Sequence, residues 1–185
     1  MFGPQVTNIF FIEPNTELQG SLRENIEKAK MQNISVIIRK AVSPRFSLGP
    51  EITDNSHSAC GVEDTLTLES FGLAVETVDT IITNRVLCSV PQINEVCKSL
   101  YRLLKPGGQW HVHEHVQADP KWPTARFLQS FYQPMWNFFM DGCNLTRDTE
   151  AELRGAGPWT TVDLKRRRRE EGWEMLGHIV GTLVK

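Results

Sequence analysis

Three histidines alternate along one short stretch of the chain, at His111, His113 and His115. Alternate residues of a β-strand project from the same face, so these imidazoles are predicted to share one side of a strand. Successive imidazoles would lie about 7 Å apart, which is long for three ligands of one metal ion. The pattern therefore predicts no metal site, and it makes His115 a candidate general base, because an imidazole accepts a proton near neutral pH.

Glu13 closes the apolar stretch Val6 to Ile12, which is predicted to be a strand, and a helix is predicted from Thr16 to about Gln32. A carboxylate at the carboxyl end of a strand in an open α/β sheet lies in the ligand crevice, where it can accept both hydroxyls of a ribose. The residues alone leave open a second interpretation, in which Glu13 only favours the positive end of the following helix.

The stretch from Thr77 to Val116 must position the histidines, because it has the pattern of a strand, a helix and a second strand. Its first part is nearly uncharged and β-branched, which is typical of a parallel strand covered on both faces. The apolar and β-branched residues of that part are Val78, Thr80, Ile81, Ile82, Val86, Leu87 and Val90. Pro91 is predicted to stop the strand. Cys88 could be a nucleophile, but a cysteine in an apolar strand usually belongs to the core.

From Gln92 the apolar residues recur at helical spacing, which predicts an amphipathic helix. These residues are Ile93, Val96, Cys97, Leu100, Leu103 and Leu104. The helix is predicted to finish near Lys105, because a proline and two glycines follow. Trp110 to Val116 is the second strand, and the whole is a parallel βαβ unit.

The remaining patterns complete the predicted architecture. Trp122 to Met140 is an aromatic segment that suits either a substrate wall or, more commonly, a buried helix surface. Thr146 is predicted to cap a short helix that ends at Gly155-Ala-Gly157. Thr160 to Leu164 and His178 to Val184 are predicted to form an antiparallel hairpin at the sheet edge. Pro44 to Ser58 lacks periodicity and is predicted to be a loop insertion or disordered.

Composition narrows the classes of function. The chain has 185 residues, is 40% hydrophobic and 23% charged, and carries a net charge of -2, as an ordinary globular domain does. No basic surface for nucleic acid is predicted, since the one basic run, Lys165 to Arg169, is followed directly by two glutamates. No apolar stretch is long enough to span a membrane. The four cysteines show no CxxC pair, so a reduced, cytoplasmic location is expected.

Six collinear segments together resemble class I S-adenosylmethionine-dependent methyltransferases. These segments are FIEPN, CGVED, VDTIITNRVLCSVP, LYRLLKPGGQWHVHEHV, GCNLTRDT, and AGPWTTVDL with HIVGTLVK. They are most similar to the methyltransferase-like group related to thiol S-methyltransferases and its small fungal relatives. The resemblance runs over roughly residues 6 to 185.

The resemblance implies a single methyltransferase-like domain over residues 1–185. Its fold would be α/β, of the Rossmann-like doubly wound type, with a mostly parallel sheet of order 3-2-1-4-5-7-6 and a C-terminal antiparallel hairpin. The family's activity is methyl transfer from S-adenosylmethionine to a small-molecule acceptor, here a thiol or a secondary metabolite. Small-molecule substrates are the implied partners, and a homo- or hetero-oligomer is left open.

The resemblance also implies a role for particular residues. Glu13 would hold the ribose of the cofactor, and Glu63 or Asp64 would lie beside its adenine. The residues from Asn84 to Cys88 would line the methionine end. Glu114 and His115 would face the substrate as the catalytic pair.

The sequence departs from the family at its N-terminus, where the first strand and its GxGxG turn would precede Val6. That turn brings the backbone against the methionine end of the cofactor, so a chain truncated there is expected to bind S-adenosylmethionine weakly, mainly through Glu13. Two alternatives follow: a methyltransferase fold without cofactor that acts as a partner subunit, or a cofactor-independent cyclase or isomerase that uses the aromatic segment as its pocket.

Overall fold

The computed structural model describes residues 6–11, 16–31, 73–140, 142–166 and 174–185. The chain divides into two compact units, Met1–Phe71 and Gly72–Lys185. In the first unit the described helix is α1 (Thr16–Lys28). The elements of the second unit are β1 (Val78–Asn84), α2 (Ile93–Leu103), β2 (Leu104–Val116), α3 (Pro123–Phe139), α4 (Thr149–Arg154), β3 (Thr161–Arg166) and β4 (Gly177–Val184). The single domain over 1–185 stays a prediction.

The first unit confirms the predicted helix and corrects the predicted strand. Helix α1 buries Ile26 and leaves its Glu24–Lys28 ion pair exposed. Residues 6–11 are not in a strand. A strand requires a ladder of hydrogen bonds to a neighbour, and a β-branched or aromatic composition does not supply one by itself. Glu13, Glu63, Asp64 and the predicted loop at 44–58 lie outside the described residues.

The second unit is built on a four-stranded mixed sheet of order β1-β2-β4-β3. Strands β1 and β2 run parallel, whereas β4 pairs antiparallel with both β2 and β3. The parallel pair and the C-terminal hairpin are confirmed. This order matches the 4-5-7-6 half of the expected sheet. Within the C-terminal hairpin, β4 therefore lies inside the sheet and β3 lies at its edge.

The crossover between β1 and β2 confirms the predicted amphipathic helix. Helix α2 buries the predicted stripe, namely Ile93, Val96, Cys97, Leu100 and Leu103. The segment after α2 differs from the predicted turn, because it is already part of β2. Its register with β1 jumps from Val78↔Leu104 to Thr80↔Gln109. The extra residues bulge out at Gly107, whose φ of 77° suits glycine.

Strand β1 is shorter and less covered than its composition predicts. It ends at Asn84, and residues 85–90 form a turn rather than a strand that continues to Pro91. Ile82 is 71% exposed, so the expectation of cover on both faces is wrong at this position. The sheet's main core lies on its other face, where Trp110 is fully buried and donates from Nε1 to the Thr83 hydroxyl at 3.1 Å.

Two predictions about the later helices also need correction. The side chains of four aromatic residues on α3 are 66–80% exposed, so the commoner interpretation of a buried helix surface is wrong for Phe127, Phe131, Phe138 and Phe139. Helix α4 is capped by Asp148, whose carboxylate accepts from the Ala151 N–H, and not by Thr146, whose hydroxyl donates to Asn144 instead. No helix within the described part of the chain is long and apolar enough to cross a bilayer.

The hairpin allows a direct test of the sheet. A Cβ added at Gly181 of β4 would overlap the backbone carbonyl of Asp163 on β3. Backbone cannot move aside as a flexible side chain can, so we expect Gly181→Ala to lower the free energy of unfolding by roughly 1–3 kcal/mol, measured by urea denaturation. The control is Gly20→Ala on exposed α1, where a Cβ meets nothing within 4 Å. This control should not lose stability; equal losses in both variants would contradict the β3–β4 register.

Candidate active site

The candidate site forms where the carboxyl ends of β1 and β2 meet at one edge of the sheet. Because the two strands are parallel and adjacent, the turn after β1 and the last residues of β2 come together there. The loop that follows α3, at residues 142–146, contributes a third segment through the Asn144 N–H, which donates to the Cys88 carbonyl at 3.0 Å. These three segments supply Glu114, His115, Cys88 and Cys143.

The Glu114 side chain links β2 to the turn after β1, at residues 85–90. Its side chain is fully buried, and its carboxylate accepts from the backbone N–H of Val86 at 3.0 Å and from that of Leu87 at 3.1 Å. Desolvation by burial raises the pKa of Glu114 to about 7, although these two N–H donors act in the opposite direction. The carboxylate therefore satisfies the amides of the turn and does not face outward.

Arg147 holds the same turn by donating to two of its backbone carbonyls. One guanidinium nitrogen, Nη1, donates to the carbonyl of Leu87 at 2.6 Å and to that of Val90 at 2.7 Å. Burial lowers the pKa of Arg147. Two charged groups thus satisfy the donors and acceptors of a turn that has no ladder of its own, as buried backbone polar groups require.

The turn after β1 and the loop at residues 142–146 bring two thiols next to an imidazole of β2. The side-chain ligand atoms of Cys88, His115 and Cys143 all lie within 4.8 Å of one another. Cys143 Sγ is 3.6 Å from His115 Nδ1. Cys88 and Cys143 are buried, and His115 is half-buried, so the cluster meets solvent on the imidazole side.

The two thiols influence each other's ionisation in opposite directions. The hydrogen bond with Cys88 lowers the pKa of Cys143 to about 7, and the Trp136 indole N–H and Arg147 also lower it. The same hydrogen bond, with desolvation, raises the pKa of Cys88 to about 12. Cys143 therefore ionises first, and Cys88 keeps its proton to donate to that thiolate.

The imidazole of His115 is also held from the neighbouring strand. Its ring lies 4.4 Å from the His178 ring in an edge-to-face arrangement, and His178 also contacts His113. His111 bonds elsewhere, through Nδ1 to the Thr182 hydroxyl at 2.9 Å. The predicted common face of the three histidines is present, but His115 alone among them belongs to the cluster.

The residues proposed from sequence are thus partly brought together. His115 and Cys88 share the cluster, whereas Glu114 lies beside it with its carboxylate turned to the turn amides. Asn84 is exposed at the carboxyl end of β1. The sequence reasoning missed Cys143 and Arg147. The available signal was the GCNLTRDT segment, which contains both residues and was used only as a marker of resemblance.

Comparison with known proteins finds similarity to methyltransferases over part of the chain. The family described as "Methyltransferase domain" matches residues 54–112. The human thiol S-methyltransferase TMT1B is 35% identical over 114 residues, covering 61% of this chain and 46% of that protein. Over the matched residues the chain is similar to class I S-adenosylmethionine-dependent methyltransferases. It spans less than half the length of the curated relatives it matches.

Solved structures agree on the fold. A Bacillus halodurans protein assigned as a methyltransferase superposes with a TM-score of 0.59 at 13% identity, over 89% of this chain and 58% of that chain. The phosphoethanolamine N-methyltransferase 2 of Haemonchus contortus, in complex with phosphomonomethylethanolamine and S-adenosylhomocysteine, superposes with a TM-score of 0.51 at 9% identity, over 86% and 30%. At these identities the likeness concerns the fold alone.

The raised pKa of Glu114 predicts how stability depends on pH. A carboxyl whose pKa is about 7 in the fold and near 4.5 in the unfolded chain binds its proton more tightly when folded. Its contribution to stability is present below pH 4.5 and is lost as the pH rises through 7. We expect the free energy of unfolding of the native chain to fall between pH 5 and pH 8 by up to about 3 kcal/mol more than that of Glu114→Gln.

Urea denaturation at the two pH values measures this difference. Glutamine keeps an oxygen that can accept from the Val86 and Leu87 amides, so the variant should still fold. Glu95→Gln, at an exposed position of α2, controls for the loss of one carboxylate. Parallel pH dependences in the native chain and Glu114→Gln would show that burial does not disfavour the Glu114 anion.

Proposed function

We propose that the protein transfers a methyl group from S-adenosylmethionine to the sulfur of a small-molecule thiol. The observation that carries the proposal is the half-buried imidazole of His115, with Nδ1 3.6 Å from a thiol sulfur, at the carboxyl edge of the parallel strands. Ligands of open α/β sheets bind at this edge. Similarity to the human thiol S-methyltransferase TMT1B favours a sulfur acceptor over oxygen or nitrogen.

In this proposal Asn84 and the turn that follows it would hold the methionine end of the cofactor. Asn84 is exposed at the end of β1. The turn that follows it is held by hydrogen bonds to Glu114 and Arg147 and lies beside His115. When bound, S-adenosylmethionine supplies an electrophilic methyl on a sulfonium sulfur. By the family resemblance, Glu13 would accept the ribose hydroxyls, and Glu63 or Asp64 would lie beside the adenine.

His115 has the chemistry that a thiol acceptor requires. A thiol is a weak nucleophile until it loses its proton, and imidazole accepts a proton near neutral pH. In this assignment His115 takes the acceptor's proton, while Glu114 and Arg147 position the turn that faces the acceptor. The remaining contribution is alignment, since an in-line attack by sulfur needs both reactants held in register.

Replacement of His115 tests the catalytic assignment. We expect His115→Gln to lower kcat for thiol methylation by about 10²–10⁴-fold, since that is the usual contribution of a general base. The Kd for S-adenosylmethionine should change little, and the rate loss should shrink as the pH approaches the acceptor thiol's own pKa.

The matched control is His111→Gln, on the same face of the same strand but bonded to Thr182. It should keep most of the activity. A His115→Gln enzyme with native kcat and an unchanged pH profile would contradict the role of His115 as base.

Replacement of Glu13 tests the cofactor assignment independently of chemistry. We expect Glu13→Gln to weaken S-adenosylmethionine binding by about 10- to 100-fold in calorimetric titration, because a charge-assisted hydrogen bond contributes roughly 1.5–3 kcal/mol. Glu24→Gln on the exposed side of α1 serves as the control. If the native chain binds no S-adenosylmethionine, the alternative of a methyltransferase fold without cofactor replaces this proposal.

A further inference from the structure

We propose that Cys88, His115 and Cys143 form a site for a single zinc ion, or an equivalent soft divalent metal, with its fourth position open to a thiol. The catalytic part of this inference rests on the proposed function. The metal site itself rests only on the geometry of the three side chains. It differs from the three-histidine site that the sequence pattern argues against, because it takes only His115 from that strand.

The ligand types suit zinc. Two cysteine sulfurs and one imidazole nitrogen are a standard donor set for Zn²⁺, and thiolates select soft metals over magnesium or calcium. Two thiolates would neutralise the charge of the ion, and both cysteines are buried, where an uncompensated cation would be costly. Three protein ligands with one position free is the arrangement of catalytic rather than structural zinc sites.

The distances require only a small contraction. Zn–S bonds of about 2.3 Å and Zn–N bonds of about 2.0 Å place tetrahedral ligand atoms roughly 3.5–3.8 Å apart. Cys143 Sγ and His115 Nδ1 are already 3.6 Å apart. The upper limit of 4.8 Å for the cluster leaves at most about 1.3 Å to close, which rotations of cysteine side chains can supply.

The surroundings hold the ligands in place. The loop bearing Cys143 is bonded through the Asn144 N–H to the Cys88 carbonyl at 3.0 Å, so the two sulfurs are tied through their backbones. The Gln133 side chain of α3 bonds to the same loop, since it donates to the Cys143 carbonyl and accepts from the Leu145 N–H. Outer contacts of this kind commonly orient metal ligands.

An open position on zinc would change how the acceptor is activated. A thiol that coordinates the ion loses its proton to solvent and remains bound as a thiolate. Its sulfur then forms a bond to the methyl carbon of S-adenosylmethionine, while the bond from that carbon to the sulfonium sulfur breaks and leaves its electron pair on S-adenosylhomocysteine. The neutral thioether product is a weaker zinc ligand and dissociates. In this form of the enzyme His115 binds the ion, and the ion takes over the deprotonation assigned above to the imidazole.

Metal titration of the full chain tests the site. The reduced, metal-stripped protein is titrated with Zn²⁺ against a chromophoric chelator, and with Co²⁺ while the absorption spectrum is recorded. We expect one ion per chain, and for Co²⁺ a thiolate-to-metal charge-transfer band with intense visible bands of tetrahedral coordination. Cys88→Ser and Cys143→Ser should each weaken Zn²⁺ binding about 100-fold or more, since even loss of an outer-shell partner costs about 10- to 100-fold.

Cys97→Ala is the matched control, because Cys97 is a buried free cysteine on α2 that is absent from the cluster. It should leave stoichiometry, affinity and the Co²⁺ spectrum unchanged. Absence of stoichiometric binding by the native chain would overturn the inference, even if a cysteine variant failed to fold. Native binding that survives both serine substitutions would overturn it as well.

Activity assays separate this inference from the proposed function. If the stripped protein methylates a thiol at the full rate and zinc neither binds nor accelerates it, the metal site is refuted and the function stands. If zinc binds through the two cysteines but S-adenosylmethionine does not bind, the site stands and the function fails. Zinc-dependent methylation that Cys143→Ser abolishes and Cys97→Ala preserves would support both.

Discussion

The contact between the Glu114 carboxylate and the amides of Val86 and Leu87 is the constraint on which the site depends. It joins the end of β2 to a turn that lies outside the β1 ladder, across 27 and 28 residues of sequence. A buried carboxylate is costly unless it is hydrogen-bonded, and here each backbone donor offsets part of that cost. Without it the turn would leave two amides unpaired in the interior, and only Arg147 and the Asn144 N–H would hold the backbone around Cys88.

Arg147 holds the same turn through its backbone carbonyls, as Glu114 does through its amides. The guanidinium satisfies the Leu87 and Val90 carbonyls, so the turn is held through its donors by an anion and through its acceptors by a cation. Because Arg147 follows the loop that bears Cys143, the same contact brings the second thiol to the first. The cluster of Cys88, His115 and Cys143 thus depends on the hydrogen bonds of Glu114 and Arg147 and not on local chain geometry.

Function and stability draw on different parts of this unit. The stable part is the sheet face around Trp110, together with α2 and α4, where side chains are fully buried. The chemistry lies at the strand ends, where a carboxylate with a raised pKa, paired thiols and a half-buried imidazole are maintained at some cost in stability. Perturbed ionisable groups concentrate at such sites because reactivity requires them. Of the exposed aromatic residues of α3, Phe138 and Phe139 lie at its end, shortly before Cys143 in the chain.

The sequence by itself determined the elements whose signal is local. The helical stripe of α2, the parallel strand pair on either side of it and the terminal hairpin all follow from periodicity and turn residues. The collinear motifs indicated the resemblance to methyltransferases. Tertiary structure decided what depends on distant partners: that residues 6–11 form no strand, that β1 stops at Asn84, that Asp148 caps α4, and that Glu114 faces the turn. It also decided that Cys143, 55 positions from Cys88 in the numbering, completes the cluster with His115. Periodicity reports which face of an element a residue occupies, whereas the meeting of three segments is set by long-range hydrogen bonds that no local pattern encodes.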